Sequence, residues 1–417
     1  MTDHATQRRH PAAVRLAVAG AGVVGLIAAA FTSYEVIHHG PSSSAATTPA
    51  RASPKAGAGS APDTHPDGRQ ATTTASSTST TTAAPVPLAV ASIAPATGTR
   101  EVALNTPITV TFSGPVSPSA PTPTLSPAVT GYWAVAGNTM TFTPTAGWAP
   151  YRTEKLSVPA GVTSAAGYSP TPTTTTSTFV ATSGSVLRLQ QLLAELGYLP
   201  VTFAPQGSSA AAALAAEPAS VDAVSTNPVA GDFAWAYPNT PASLVARWDP
   251  NTATVITRGA VMAFEADHGL DPDGTAGPEV WNTLLLSAAT HAPASHAYSY
   301  LMVSKVRPED LRVWSNGTIV AQSLVNTGVS GADTADGTFP VFAHLASTTM
   351  SGTNPDGTTY KDPGVNYVAY FNGGDAVHEF WRPGYGYPQS NGCVELPASS
   401  AAIVWGYDQI GTLVTVT

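Results

Sequence analysis

The only cysteine among 417 residues, Cys393, stands in a polar turn, Ser390-Asn391-Gly392-Cys393, and leads into the apolar Val394. A lone cysteine cannot close a disulfide within its own chain, so its chemistry is that of a free thiol, a nucleophile able to form a covalent acyl intermediate. The competing reading is a small buried hydrophobe, since free cysteine is often core. A Ser-Asn-Gly turn is poor core, which favours the nucleophile. At its ordinary pKa a thiol is mostly protonated at neutral pH, so it needs a base beside it. His378, fifteen residues upstream, is the candidate. No histidine follows Cys393, and this order, base first and nucleophile late, argues against the papain-like arrangement.

Both residues need elements to hold them. An apolar run at 368–371, the turn Asn372-Gly373-Gly374 and a second apolar run ending at Val377 predict a β-hairpin that presents His378 at a strand end. The glycine-rich loop 383–388 would then return the chain to Cys393. Upstream, runs at 298–303, 311–314 and 318–325, the last two joined by Asn316-Gly317, predict further strands. With runs at 338–343, 367–371 and 411–416, they make residues 295–417 a mostly-β domain. The polar stretch 347–363 reads as a long loop folding over the site.

At this point the motifs carry a resemblance. Residues 378–396, with a histidine, a loop and Ser-x-Gly-Cys before an apolar residue, resemble the signature of the L,D-transpeptidase (YkuD-like) catalytic domain. Thr327-Gly328 and Thr334-Ala335-Asp336-Gly337-Thr338-Phe339 resemble that family's Thr-Gly and Thr-Pro-x-Gly-x-Phe segments. Three positions depart from the pattern: Asn391 for a histidine, Glu395 for an arginine and Glu379 for a glycine. The resemblance implies that peptidoglycan stem peptides are the substrate. Cys393 would attack the third stem residue, release the terminal D-alanine and pass the thioester to a neighbouring amine, cross-linking third residues. It further implies that His378 is the base, Ser390 orients its imidazole, and the N–H groups of Gly392 and Cys393 stabilise the oxyanion. Asn391, Tyr387 and Trp381 would bind substrate, and carbapenem β-lactams would inhibit. No cofactor or metal is implied. Hydrolysis of the same thioester, an L,D-carboxypeptidase, is the alternative, as is a non-catalytic wall-binding protein, for which the three departures are the motive. Glu395, two residues after the thiol, should disfavour the thiolate unless Arg382 compensates, so Glu395→Arg is expected to accelerate acylation.

The remainder of the chain reads as a mainly-β multidomain protein. Residues 1–11, with Arg8 and Arg9, form a cytoplasmic tail, and the apolar stretch at 12–33 forms a transmembrane anchor or a cleaved signal peptide. Either places the rest outside the cytoplasm, anchored to the membrane or secreted into the wall. Residues 34–87 are an Ala/Ser/Thr/Pro linker with too few large apolar groups to order. Period-two alternation, Ile108, Val110 and Phe112 against Thr109 and Thr111, predicts a β-sandwich over 88–182 that resembles bacterial immunoglobulin-like domains. Helical spacing starting at Val186, near Thr257 and at Pro278 predicts a three-helix bundle over 185–290. That bundle resembles peptidoglycan-binding domains, interrupted by about 50 residues that include the alanine-rich 208–216. Asp271-Pro272-Asp273-Gly274 reads as a turn, lacking the spaced carboxylates of a calcium loop. His268, His291, His296 and His344 lack zinc-site spacing and read as surface residues. With 10% charged residues and a net charge of −9, there is no basic patch for nucleic acid.

Overall fold

The computed structural model describes residues 84–207 and 220–417. The predicted tail, anchor and most of the linker, together with the alanine-rich 208–216, lie outside the described residues. Among the described residues, no helix is long and apolar enough to cross a membrane.

The first module is built from β1 (Val90–Ala94), β2 (Thr99–Val102), β3 (Ile108–Phe112), β4 (Thr124–Ser126), β5 (Gly131–Ala136), β6 (Thr139–Pro144), β7 (Thr153–Val158) and β8 (Thr175–Ala181). They form two four-stranded sheets, β1-β3-β6-β5 and β2-β8-β7-β4. The alternation expected of β3 and β6 is what buries them: Ile108, Val110, Phe112, Met140 and Phe142 point inward around Trp148, and the intervening threonines point away.

Next come α1 (Val186–Glu195), β9 (Val201–Pro205), β10 (Gly231–Trp235), α2 (Ala242–Val245), α3 (Val255–Asp267) and α4 (Pro278–Thr290). Ser185 caps α1 by accepting from Arg188 N, and Thr254 caps α3 in the same way from Thr257 N. Gly197, at φ +85, lets the chain leave α1 through the left-handed region. The interruption after α1 contains a two-stranded ribbon, β9–β10, which the helical pattern gave no sign of. Leu192, Phe264, Trp281 and Leu284 share one core with Tyr300, Trp314 and Leu413. The helices therefore pack on the strands that follow, and the boundary expected at 290–295 does not separate two cores.

The last module holds β11 (Ser299–Ser304), β12 (Asp310–Ser315), β13 (Thr318–Leu324), β14 (Gly337–Pro340), β15 (Ala343–Thr353), β16 (Thr359–Asn372), β17 (Asp375–Glu379), β18 (Val394–Leu396), α5 (Ala398–Val404) and β19 (Leu413–Val416). One sheet runs β13-β12-β11-β19-β14 and the other β15-β16-β17-β18. Leu301, Val313 and Val414 meet Ala369, Phe371, Val377 and Val394 in a common core closed by Ala401 and Val404 of α5. Asn316 and Gly317 turn β12 into β13 with both φ angles positive, as a two-residue hairpin loop requires.

Two expectations are corrected. Residues 347–363 are not a loop: β15 and β16 continue through them as a paired ribbon, from Ala343↔Tyr370 out to Thr353↔Thr359. Threonine-rich alternation with a Pro-Asp-Gly turn at its tip forms a hairpin as readily as a loop. His344 is not a surface residue either. Its ring stacks on Trp405 at 3.4 Å, and its Nε2 lies 3.1 Å from Oδ1 of the buried Asp408.

Candidate active site

The hairpin expected before His378 is present, with Ala369↔Val377 and Tyr370↔Ala376 paired across the turn. β18 then returns parallel to β17, pairing Val377 with Val394 and His378 with Glu395. Side chains alternate faces along a strand, so Ala376, His378 and Glu395 share one face, and Cys393, two residues before Glu395, joins them. Packing agrees, since Cys393 clusters with Ala376, Tyr370 and Phe380 and not with the core on the other face. Strand spacing and rise set the His378 and Cys393 backbones about 8 Å apart on the diagonal, within the span of an imidazole and a thiol reaching toward each other.

The turn bearing Cys393 is clamped from behind by the two upstream motifs. Thr327 O accepts from Gln389 N and Ser390 N at 2.9 and 3.0 Å, and Val329 N donates to Ser390 O at 2.9 Å. Glu309, itself buried, accepts from Thr327 N at 2.8 Å, and Thr334 Oγ1 accepts from Gly328 N at 2.9 Å. Gly392 sits at φ +110, and a Cβ there would collide with Asp375 Oδ1, so no other residue fits.

His378 is 2% exposed, and its Nδ1 lies 2.7 Å from Glu379 O. A carbonyl only accepts, so Nδ1 carries the proton and Nε2 holds a lone pair. Burial pushes the imidazole below its ordinary value, which keeps it neutral at pH 7 and able to take a proton. The Phe380 ring stands perpendicular to the imidazole, with 6.1 Å between ring centroids. Ser390 does not orient this ring: its hydroxyl donates to Cys393 O at 2.6 Å and accepts from Gly392 N at 3.2 Å. Both groups work to shape the turn, and the Gly392 N–H expected to face an oxyanion is engaged there.

The Cys393 sulfur donates to Gly374 O at 3.6 Å and receives the N–H of Ala376. Burial pushes the thiol up to about 12, with the carboxylates of Asp375 and then Glu395 adding to the rise. Glu395 is compensated. Arg382 Nε and Nη2 grip its two oxygens at 2.7 Å each, the second nitrogen also donates to Gln389 O at 3.1 Å, and the guanidinium lies 4.7 Å over the Phe380 ring. Arg382 is therefore the cation that pairs with Glu395, while the Glu395 carboxylate still adds to the rise at the thiol.

Asn391 is exposed, and its Nδ2 donates to Asn354 Oδ1 at 2.6 Å, joining the turn to the tip of the β15–β16 ribbon. Trp381 is 79% exposed and Tyr387 40% exposed. Tyr385 fixes its loop, donating to Phe380 O at 2.8 Å and accepting from Arg382 N at 3.2 Å. Sequence reasoning missed Asp375, Tyr360 and Tyr370. Burial raises both phenols, and the nearby Cys393 sulfur raises them further. Their signal was available only in part: Tyr370 lies in the predicted hairpin, whereas Tyr360 comes from the ribbon taken for a loop.

A thiol and a neutral, fixed imidazole on one sheet face, with the turn clamped by Thr-Gly and Thr-x-x-Gly segments, bring the comparisons to bear. Residues 298–416 match the family model of the L,D-transpeptidase catalytic domain. Residues 84–181 match that of a bacterial Ig-like domain. An L,D-transpeptidase from Mycobacterium smegmatis is similar at 15% identity over 80% of this chain and 100% of that one, with a TM-score of 0.26. The catalytic domain of an E. faecium L,D-transpeptidase is 28% identical over 30% of this chain and 99% of its own, with a TM-score of 0.27. L,D-transpeptidase 3 from Mycobacterium tuberculosis, in complex with a faropenem-derived adduct, is 15% identical over 79% of this chain and 98% of that one, with a TM-score of 0.26. No curated protein matches the chain. The transpeptidase-domain match spans every strand from β11 to β19, and so both candidate reacting residues.

Proposed function

We propose that this protein is an extracytoplasmic peptidoglycan L,D-transpeptidase that works through a cysteine thioester. The observation that carries the reading is the parallel β17–β18 pairing, which sets a neutral His378 and Cys393 on one face inside the domain that matches the family. His378 Nε2 takes the thiol proton as the sulfur attacks the carbonyl of the third stem residue. The C–N bond to the terminal D-alanine breaks, and the proton passes from the imidazole to that leaving amine. An amine from a second stem then attacks the thioester and restores the thiol. Cys393 N–H, which no bond within the turn engages, is the oxyanion donor. Trp381, Tyr387 and Asn391 face the incoming peptide, and the helical region 185–290 holds the enzyme near the wall.

The test is intact-protein mass with a carbapenem, followed by muropeptide mass analysis with stem-peptide substrate. One adduct and third-residue cross-links are expected, with both lost in Cys393→Ala and in His378→Ala, the double variant being no worse than either single one. Shortened stems without cross-links would instead indicate a carboxypeptidase. No adduct and no product from the intact chain would leave a wall-binding protein as the better account.

A further inference from the structure

Away from the nucleophile, a cavity of about 350 Å³ opens where α3 meets the 406–412 turn that follows α5. The two elements touch at one end, where a Cβ on Gly259 would come within 2.6 Å of Gly411 O. Toward the other end they part, and Ala263, Ala266 and Asp267 of α3 line the space between them. From Gly259 to Asp267 the helix rises roughly 12 Å, which sets the length of the cleft. Packing voids seldom exceed a water molecule, whereas small-ligand sites start at roughly 300 Å³.

Its polar walls are groups already held in place. His344 stacks on Trp405 with 3.4 Å between ring centroids, and its Nε2 lies 3.1 Å from Oδ1 of the buried Asp408, which fixes the ring on the cavity wall. Gln409 donates from Nε2 to Trp405 O at 2.8 Å, leaving Oε1 as an acceptor. Across the cleft, Tyr198 Oη and Ser295 N donate to Asp267 Oδ2 at 2.9 and 3.0 Å, and Ser295 Oγ donates to Oδ1 at 2.6 Å. His296, with its side chain 59% exposed, marks the mouth. Acceptors therefore stand on both walls over a floor of glycine and alanine, and among the described residues no Lys or Arg lines the space. An anionic ligand would find no cation here. A single ammonium would satisfy Asp267 and leave the opposite wall unmatched. A neutral ring with several hydroxyls donates to both walls at once, and the small floor residues leave room for an acetamido methyl. We propose that this cavity binds an N-acetylated amino-sugar unit of a wall glycan. This rests on the reading of peptidoglycan as the substrate. Since α3 and the 406–412 turn build the site together, it belongs to their joined core and not to the helices alone.

The test titrates the full chain with N,N′-diacetylchitobiose by ligand-observed NMR, with thermal unfolding and carbapenem adduct formation of the intact chain measured alongside. Saturable binding is expected. Ala266→Trp, which reaches the cleft from an exposed position of α3, should abolish it. Asp267→Asn, nearly isosteric, should weaken it about tenfold, the scale of one hydrogen bond to a charged group. Both variants should melt as the intact chain does. Cellobiose, with the same linkage and no acetamido groups, should bind roughly fourfold less tightly or worse, the worth of one buried methyl group. No binding by the intact chain, binding that survives Ala266→Trp, or equal binding of cellobiose would overturn the assignment. Tighter binding of 1,5-diaminopentane would also overturn it, by marking the site as one for an amine. Sugar binding that Ala266→Trp removes, in a chain that forms no carbapenem adduct, would uphold the site and strike only the transpeptidase reading.

Discussion

Charge placement around one sulfur decides how this site behaves residue by residue. The sequence showed Glu395 where an arginine is usual, and two residues from the thiol that reads as a defect. The fold offsets it in part, because the 381–389 loop brings Arg382 back onto Glu395 in a bidentate pair that also holds Gln389. Such a pairing is not legible from spacing, since it depends on the path of the loop. Glu395→Arg should therefore set two guanidinium groups against each other and lower stability by roughly 2–4 kcal/mol, with slower carbapenem acylation. The swap Arg382→Glu with Glu395→Arg should recover most of the loss in a denaturant melt and in adduct rate, and equal damage in single and double variants would contradict the pair. The pH dependence follows from two further groups. Burial lowers His378, so its neutral form persists below the ordinary histidine value of about 6.5, and carbapenem acylation should hold through that pH and fall only in more acidic solution. Burial raises Cys393 to about 12, so iodoacetamide alkylation of the free protein should still climb beyond about pH 10, where an ordinary thiol would have levelled off. A midpoint near about pH 8.5 would show that the sulfur is not shielded.

Among the elements, what the sequence disclosed was local periodicity, and what it hid was pairing across long separations. The Asn316-Gly317 hairpin, the hairpin before His378 and the inward faces of β3 and β6 were legible because a period of two and a glycine turn lie within a few residues. The parallel return of β18 onto β17 was not, although it is what puts the imidazole and the thiol on one face; three strand residues after a glycine-rich loop carry too little pattern to show their partner. The β15–β16 ribbon failed for a related reason. Its residues alternate threonine and serine with glycine and methionine, so neither face is strongly apolar, and only the pairing from Ala343↔Tyr370 to Thr353↔Thr359 reveals it. The ribbon still does what a flap would do, because its tip meets the nucleophile turn through Asn354 and Asn391, and its Tyr360 lies near the sulfur.

At the scale of the whole molecule, the helical region is better regarded as a foundation for the catalytic sheet than as a separate binding unit. Trp314 and Leu413 are each at most 2% exposed and Tyr300 is fully buried, all three in the core that Leu192, Phe264 and Trp281 also build. The Tyr300 hydroxyl donates to Thr415 Oγ1 at 2.6 Å and lies 3.0 Å from Ser243 Oγ of α2. Gly259 of α3 packs so closely on the 411 turn that a Cβ would come within 2.6 Å of Gly411 O. Removing the sheet would uncover three large side chains' worth of apolar surface. At about 2 kcal/mol each, that is comparable with the roughly 5–15 kcal/mol by which a whole domain is stable. Residues 185–290 expressed alone should consequently be aggregated or molten, with poor near-ultraviolet dichroism, whereas 185–417 and 84–182 should each melt cooperatively. Retention on insoluble peptidoglycan should then be found for 185–417, including its Cys393→Ala variant, and not for 84–182. A sharp melt from 185–290 by itself would show that the shared core is dispensable, and would return wall binding to an autonomous helical module.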